Sequence, residues 1–208
     1  MYADDIKAVI VSAILPTLNF DEVLGSEVRF GDGRYRADLV ISSPSRLSAI
    51  EIKGPRDNLD KLGGQVLGYS EMFLDFSVAT DANWISTVRE RLPRSTGLMA
   101  LREDELVTVR MPRERSRLTS NAALKWLKTE DLRKIMREKK LPVTGHYESL
   151  AEATRQHIPG AELSNFALRT VHERLLPRFE AFRNELGHTV TLDDVRMLTL
   201  NENISQRP

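Results

Sequence analysis

The strongest constraint on the fold is a pair of strand-like stretches joined by a turn. Apolar and polar residues alternate in residues 36–41 and again in residues 49–53, and the Ser-Ser-Pro-Ser sequence at 42–45 supplies a turn between them. Successive side chains of a strand point to opposite faces of a sheet. The sequence therefore predicts a β-hairpin with one apolar and one polar face.

Three charged residues fall on the polar face of this hairpin. Glu51 and Lys53 project together, while Ile50 and Ile52 between and beside them point the other way. Asp38 lies on the polar face of the first strand, so the two carboxylates can meet across the hairpin. Paired oxygen ligands beside an amine suit a divalent metal ion and a phosphodiester. The alternative is that these charges form the solvated face of an edge strand, which protects against aggregation.

Patterns beyond the hairpin predict an α/β fold. The order α-β-β-β-α-β-α-β-β, up to about residue 110, indicates a mixed sheet flanked by helices. The predicted elements are a helix at 4–18, strands at 27–30, 34–41 and 47–53, a helix beginning at Asp57 or Asn58, a strand at 76–80, a helix at 82–92, and a hairpin at 97–101 and 106–109.

The second half of the chain has a different character. Strand signals stop after residue 111, an arginine-rich stretch at 112–120 is predicted to be a basic linker, and residues 121–208 have helical patterns, with a long helix predicted at about 162–186. We therefore predict an α/β domain at residues 1–111, followed by an all-helical C-terminal module.

The distribution of charge points to a polyanionic partner. The net charge is zero, but residues 110–140 contain eleven cations and four anions, a local net charge of +7. The alternative is a solvated linker and helix face. The nucleic-acid-binding candidates in this stretch are Arg113, Arg115, Arg117, Lys128, Arg133, Lys134, Lys139 and Lys140.

Several classes of protein are excluded or disfavoured. The chain has no cysteine, which excludes disulfides, thiolate zinc sites and cysteine nucleophiles. It has no apolar run of the roughly 18 residues that a membrane span needs, and its first residues lack the basic region of a secretory signal. No phosphate-binding glycine loop or G-x-S-x-G motif is present. A cytoplasmic protein without a membrane partner is expected.

The polar hairpin resembles the PD-(D/E)xK nuclease superfamily. Asp38 and Glu51-Ile52-Lys53 match its named motif, with Ala37 where the proline is expected, and Gln65-x-x-x-Tyr69 looks like its accessory helix motif. The order of elements over roughly residues 1–110 also matches its α-β-β-β-α-β core. These features are similar to a small, poorly characterised bacterial and phage group in that superfamily.

This resemblance implies a restriction-endonuclease-like fold and a nuclease that uses Mg²⁺ or Mn²⁺. The expected substrate is DNA, with RNA as the alternative, and a homodimer is compatible with the resemblance. The third acid is assigned to Glu27 first, with Asp4 and Asp5 as the other choices. The implied catalytic residues are Asp38, Glu51, Lys53 and Gln65, and the implied metal ligands are Glu27, Asp38, Glu51 and the carbonyl of Ile52.

A second resemblance lies in the helical half. The Leu-Pro-Val-Thr-Gly sequence at 141–145 joins two predicted helices at about 127–155, and this hairpin looks like a SAP-type DNA-binding motif. Tyr147 replaces the lysine expected two residues after the glycine. The alternative is a plain helical hairpin that packs on the sheet. The combined hypothesis is a DNA nuclease with a helical DNA-binding module; its rival is a non-catalytic protein that binds nucleic acid or another protein.

Overall fold

The computed structural model describes residues 3–31, 33–55, 57–103 and 105–200, with side chains from residue 6 onward. The side chains of Asp4 and Asp5, the other two choices for the third acid, therefore lie outside the described part of the chain.

Six strands form one mixed sheet in the order β1-β2-β3-β4-β5-β6. The β1–β2, β2–β3 and β5–β6 pairs are antiparallel, whereas β3–β4 and β4–β5 are parallel. The strands are β1 (Val23–Phe30), β2 (Tyr35–Ser42), β3 (Leu47–Lys53), β4 (Asp75–Asp81), β5 (Gly97–Arg102) and β6 (Glu105–Arg110).

Helices flank the sheet and make up the second half of the described chain, which confirms the predicted fold class. The α-helices are α1 (Ala3–Ile14), α2 (Leu62–Met72), α3 (Ile85–Glu90), α4 (Ser120–Lys125), α5 (Thr129–Glu138), α6 (Tyr147–His157), α7 (Gly160–Glu185) and α8 (Leu192–Met197). Short 3₁₀ turns precede α2 and α3, at Leu59–Lys61 and Ala82–Trp84, and another, Leu15–Thr17, follows α1. No helix in the described part of the chain is both long and apolar enough to cross a membrane.

Element boundaries differ from the predictions at places with a local cause. The first helix gives way to a 3₁₀ turn after Ile14, because Pro16 cannot continue it. Strand β1 begins at Val23, four residues before the predicted start, since Gly25 and Ser26 hide its apolar alternation in the sequence. Helix α8 was not predicted; Thr191 caps it by accepting a hydrogen bond from the backbone N–H of Asp194.

The turn into α2 is built as the sequence indicates. The Asn58 side chain accepts a hydrogen bond from the N–H of Asp60 at 2.7 Å, and Asp57 accepts one from the N–H of Gly54 at 2.7 Å. The apolar residues that recur every three or four positions along this segment are all buried: Leu59, Leu62, Val66, Tyr69 and Phe73. This packing fixes the side of α2 that faces β3 and β4.

The sheet and the helical half share one hydrophobic core. Trp126, at the end of α4, is fully buried, packs against Phe30 and Phe73, and donates its indole N–H to the carbonyl of Met72 at 2.8 Å. Helix α7 lies so close to β1 that a Cβ on Gly25 would approach Leu175 to 2.7 Å. The predicted boundary near residue 111 therefore marks a change of secondary structure within one continuous core.

The predicted basic linker is bound to both halves. Its backbone donates hydrogen bonds from Arg113 to Ser95 at 2.8 Å and from Arg115 to Leu74 at 2.9 Å. At its end, the N–H of Leu118 donates to the hydroxyl of Ser164 on α7 at 3.0 Å. Residues 113–118 therefore run along the protein as a hydrogen-bonded connection.

Candidate active site

Strands β2 and β3 separate at the point where the predicted acids lie. Their ladder runs from Ser42 opposite Leu47 to Leu39 opposite Ile50 and then stops. Beyond it, β2 pairs with β1 and β3 pairs with β4. Asp38 fills the gap with its side chain, because its Oδ2 atom accepts the backbone N–H of Ile52 at 2.7 Å. We call this opening between β2 and β3 the strand fork.

Glu51 and Lys53 lie in the interior of the sheet. Strand β3 is third of the six strands, and the Glu51 and Lys53 side chains are only 5% and 10% exposed. The alternative of a solvated edge strand is therefore wrong. The Lys53 ammonium donates to Glu51 Oε1 at 2.7 Å. This contact gives each of the two buried side chains a polar partner in a poorly solvated place.

Helix α2 supplies two further partners of Glu51. Gln65 donates from Nε2 to Glu51 Oε1 at 2.6 Å, and the hydroxyl of Tyr69 donates to Oε2. The Tyr69 ring is buried among Phe30, Phe73 and Phe76. Tyr69 therefore belongs both to the hydrophobic core and to the site. Burial and the nearby Glu51 raise the pKa of Tyr69 well above its ordinary value, so that the phenol keeps its proton.

A second group of charges lies beside Asp38. The Lys7 ammonium, on α1, contacts Glu27 Oε1 and lies 3.9 Å from Asp38 Oδ1. Arg36 Nε forms an ion pair with Glu27 Oε2 at 2.5 Å, although the contact is not aligned as a hydrogen bond. Glu27 itself has a left-handed backbone with φ of 57°. Such a conformation is unfavourable for a residue with a Cβ and recurs at functional sites.

Lys7 and Arg36 are the members of this site that the sequence analysis missed. Lys7 could have been identified from the sequence, because it lies three residues before Ile10 and four before Val11. Both of these apolar residues are fully buried. A lysine on the apolar stripe of a helix needs a buried acidic partner. No comparable local pattern identifies Arg36, since arginine is common on the exposed face of a strand.

The electrostatic environment of Asp38 favours its neutral form. Burial, and then the charge of Glu51, raise its pKa from 3.8 to about 7, against the opposing effects of the Ile52 N–H and Lys7. Two carboxylates that share a poorly solvated place resist ionising together. A positive charge added beside the two carboxylates at neutral pH would therefore stabilise the ionised form of Asp38.

The acceptor atoms of the fork fit a hard cation such as Mg²⁺. Each carboxylate or amide oxygen can accept about two hydrogen bonds. Glu51 Oε2 accepts one from Tyr69, and Asp38 Oδ2 accepts one from the N–H of Ile52. Gln65 Oε1 is buried and accepts none. The N–H and C=O of a strand residue point to the same side, so the Ile52 carbonyl faces Asp38. Oxygen ligands of this kind are what Mg²⁺ and Mn²⁺ prefer.

The predicted ligand set is not assembled around one ion in this structure. In the described residues, no three Asp, Glu or His side chains come together closely enough to hold one ion. The two oxygens of Glu27 face Lys7 and Arg36, and its assignment as the third acid stays a prediction. Asp38, Glu51 and Ile52 remain together at the fork.

The arginine-rich segment lies at the opposite end of the sheet from the fork. Arg115 hydrogen-bonds the carbonyls of Glu71 and Phe73, next to the start of β4, whereas Glu51 pairs with Val78 further along it. At about 3.3 Å per residue these places are roughly 10–15 Å apart. A groove of about 860 Å³ at this end is lined by Arg113, Arg115 and Arg117. Arg113 and Arg117 are exposed, but Arg115 is occupied by its carbonyl partners.

The predicted helical hairpin is present as α5 and α6, and several of its cations contact acids outside the basic stretch. Lys139 pairs with Glu162 at 2.5 Å and Lys134 lies 3.9 Å from Glu173. Arg133 donates to the carbonyl of Gly145 at 3.3 Å. A cavity of about 690 Å³ is lined by Lys128, Arg133 and the first residues of both helices, and Lys140 is exposed beyond it. The local charge of +7 is thus partly neutralised.

Comparisons with known proteins give one family. A family model described as "Bacteriophage P4 protein cII" matches residues 2–199. No curated protein matches the chain. The solved structure of the SPO1766 protein of unknown function from Silicibacter pomeroyi is similar, with 16% identity and a TM-score of 0.45 over 90% of this chain and 97% of that chain. At this level the similarity carries no functional information.

Proposed function

The chain belongs to the bacteriophage P4 protein cII family, and we propose that it is a metal-dependent nuclease that hydrolyses DNA phosphodiester bonds at the strand fork. The observation that carries the proposal is the convergence of Asp38, Glu51 and Lys53 with Gln65 at one buried point, although these residues come from two strands and a helix. Burying this many polar groups costs stability. Such a cluster is typical of a functional site.

Each side chain has a definite part in this proposal. Asp38, Glu51 and the carbonyl of Ile52 would hold a divalent cation, with Gln65 Oε1 as a further oxygen beside them. When bound, the cation would supply Lewis-acid chemistry and neutralise charge on the phosphodiester. The Lys53 ammonium would stabilise the negative charge that develops on the phosphate oxygens during hydrolysis. Tyr69 would keep Glu51 in its orientation by donating its hydroxyl hydrogen.

DNA binding is proposed to involve exposed cations away from the fork. Arg113 and Arg117 border the groove at the far end of the sheet, and Lys140 is exposed after α5. Arg115, Lys134 and Lys139 are less suited to this role, since they already contact carbonyl or carboxylate oxygens.

We expect the double variant Arg113→Ala and Arg117→Ala to bind duplex DNA more weakly, to a similar extent for unrelated sequences. Losing two phosphate contacts should lower the slope of log affinity against log salt concentration by about 1.8. Fluorescence anisotropy at several salt concentrations measures this slope. The exposed Arg102, at the end of β5, gives the control variant Arg102→Ala. An unchanged slope in the double variant would remove both arginines from the interface.

The rival function is a non-catalytic protein that binds nucleic acid and keeps this fold. It has one observation in its favour: both oxygens of Glu51 already accept hydrogen bonds within the protein. In that case the polar cluster would be a structural network. Binding of DNA without cleavage, with either Mg²⁺ or Mn²⁺ present, would favour this rival.

The decisive measurement is cleavage of labelled DNA with Mg²⁺ or Mn²⁺. We expect the wild type to cleave, and Lys53→Met and Glu51→Gln each to lose at least about 100-fold in rate, because each removes a group that stabilises the transition state. Lys61→Met, an exposed lysine just before α2, is the matched control and should cleave like the wild type.

Loss of folding must be separated from loss of chemistry in this experiment. Each single variant leaves one buried charge without its partner, whereas the double variant with both changes restores the charge balance. We expect the double variant to regain thermal stability but no cleavage. Cleavage in the double variant at the wild-type rate would place the chemistry outside the fork.

A further inference from the structure

The charged side chains of the site differ sharply in their access to solvent. Six of them form the cluster around Asp38 and Glu51. The exposed fractions are 9% for Lys7, 22% for Glu27, 61% for Arg36, 25% for Asp38, 5% for Glu51 and 10% for Lys53. A substrate that approaches from solvent therefore meets Arg36 before any other cation of the cluster.

Arg36 is also in the right place on its strand. It precedes Asp38 by two residues on β2, so both side chains project from the same face of the sheet. The Nε atom of Arg36 forms an ion pair with Glu27. In the described part of the chain its two terminal nitrogens form no hydrogen bond or ion pair. They can donate two parallel hydrogen bonds to one phosphate, a geometry that lysine cannot reproduce.

The three cations of the cluster differ in how readily they can contact a phosphate from solvent. Lys7, Lys53 and Arg36 each lie beside a carboxylate. Lys7 and Lys53 are buried against their partners. The exposed guanidinium of Arg36 can add hydrogen bonds to an incoming anion at the surface without leaving its present partner.

Glu27 explains how the guanidinium is held. Its left-handed backbone interrupts the regular β1–β2 pairing between Ser26 and Val28. In this conformation its carboxylate lies between buried Lys7 and exposed Arg36. Lys7 fixes the carboxylate from inside the protein, and the carboxylate fixes Nε of Arg36. A side chain that is held before binding loses less conformational entropy when it binds.

We propose that Arg36, positioned by Glu27, binds a phosphate of the DNA backbone beside the bond that is hydrolysed. This inference rests on the proposed nuclease function and assigns that site its substrate-binding group. It also gives Glu27 a positioning role in place of the metal-ligand role that the sequence analysis predicted.

The test compares Arg36→Ala, Arg36→Lys and the control Arg102→Ala in steady-state cleavage of a labelled DNA duplex with Mn²⁺. Arg36→Ala should raise KM about 10- to 100-fold and change kcat much less, as expected for a lost hydrogen-bonded contact made before and during the reaction. Arg36→Lys should recover part of this loss. The melting temperature should stay near that of the wild type, because an exposed ion pair contributes little stability.

Glu27→Gln separates the positioning role from metal binding. Calorimetric titration of Glu27→Gln with Mn²⁺ should give an affinity within about threefold of the wild type. The KM of this variant for DNA should rise. Adding Arg36→Ala to Glu27→Gln should raise KM little further. A tenfold or larger loss of Mn²⁺ affinity would make Glu27 a metal ligand and overturn its proposed role. An unchanged KM in Arg36→Ala, in a wild type that cleaves, would overturn the inference alone. A wild type that neither binds nor cleaves DNA would overturn the nuclease proposal together with it.

Discussion

Replacing Asp38 with asparagine is expected to stabilise the metal-free protein at neutral pH, by up to roughly 4 kcal/mol in the free energy of unfolding. Burial and the neighbouring Glu51 raise the pKa of Asp38 from 3.8 to about 7. The folded state therefore disfavours the charged carboxylate. Asparagine is neutral at every pH, and its side-chain oxygen can still accept the Ile52 N–H. Residues that bind ligands are often poorly optimised for stability in this way.

The sign of the pH dependence follows from the two pKa values. Between about pH 4 and pH 7 the unfolded chain has released the Asp38 proton, whereas the folded protein still holds it. Raising the pH through this window therefore favours unfolding, and this contribution is fully lost above about pH 7. Mn²⁺ or Mg²⁺ should reverse the effect, because the ion favours the carboxylate.

Urea denaturation of the wild type and Asp38→Asn between pH 4.5 and pH 8 measures this effect directly. Because other groups also titrate, the informative quantity is the difference in unfolding free energy between the two proteins at each pH. It should grow as the pH rises to about 7 and then stay constant. Asp193→Asn, at an exposed carboxylate on α8, provides a control that should show no such growth. A difference that is constant with pH would contradict the raised pKa.

Truncating Trp126 to alanine is expected to destabilise the protein by about 3–5 kcal/mol. The ring is fully buried between Phe30 of β1 and Phe73 after α2, and its N–H is bonded to the carbonyl of Met72. The variant leaves a cavity between the sheet and the helical half and an unpaired carbonyl. Trp126→Phe should cost less, since it keeps most of the ring volume while losing the hydrogen bond.

The same variant tests whether the two halves unfold together. With one continuous core, Trp126→Ala should lower the midpoint of a single cooperative transition, seen equally by far-ultraviolet circular dichroism and by calorimetry. Trp84→Ala is a suitable control, because Trp84 is only partly buried and lies in the 3₁₀ turn before α3. Two separate transitions in the variant, with the sheet unaffected, would mean that the halves are energetically independent.

The geometry of the fork was only partly predictable. Alternation placed Asp38, Glu51 and Lys53 on one polar face, and spacing along α2 put Gln65 and Tyr69 one turn apart toward it. The sequence could not show that the β2–β3 ladder ends at Leu39 and Ile50. The ladder ends there because the Asp38 side chain, rather than a backbone carbonyl, accepts the N–H of Ile52. These two residues are 14 positions apart in the chain.

The assignment of charges to roles was less predictable. Glu27 was assigned as the third acid, and it lies near Asp38, but its pairing with Lys7 spans 20 residues and has no period that a sequence pattern could detect. The cations at 112–120 were expected to form a free linker, yet Arg115 reaches carbonyls more than 40 residues away. Ion pairs and such contacts are set by which surfaces pack together, and packing involves the whole chain.

The sequence by itself determined most of the strands and helices, their buried faces and the polar face that carries the acids, because these depend on periods of two and 3.6 residues within a few neighbouring positions. Only the tertiary structure decided that β2 and β3 separate at Asp38, that Lys7 and Arg36 pair with Glu27, and that the helical half joins the core through Trp126. Those outcomes depend on contacts between distant residues, whose energies are decided by close packing and burial rather than by local pattern.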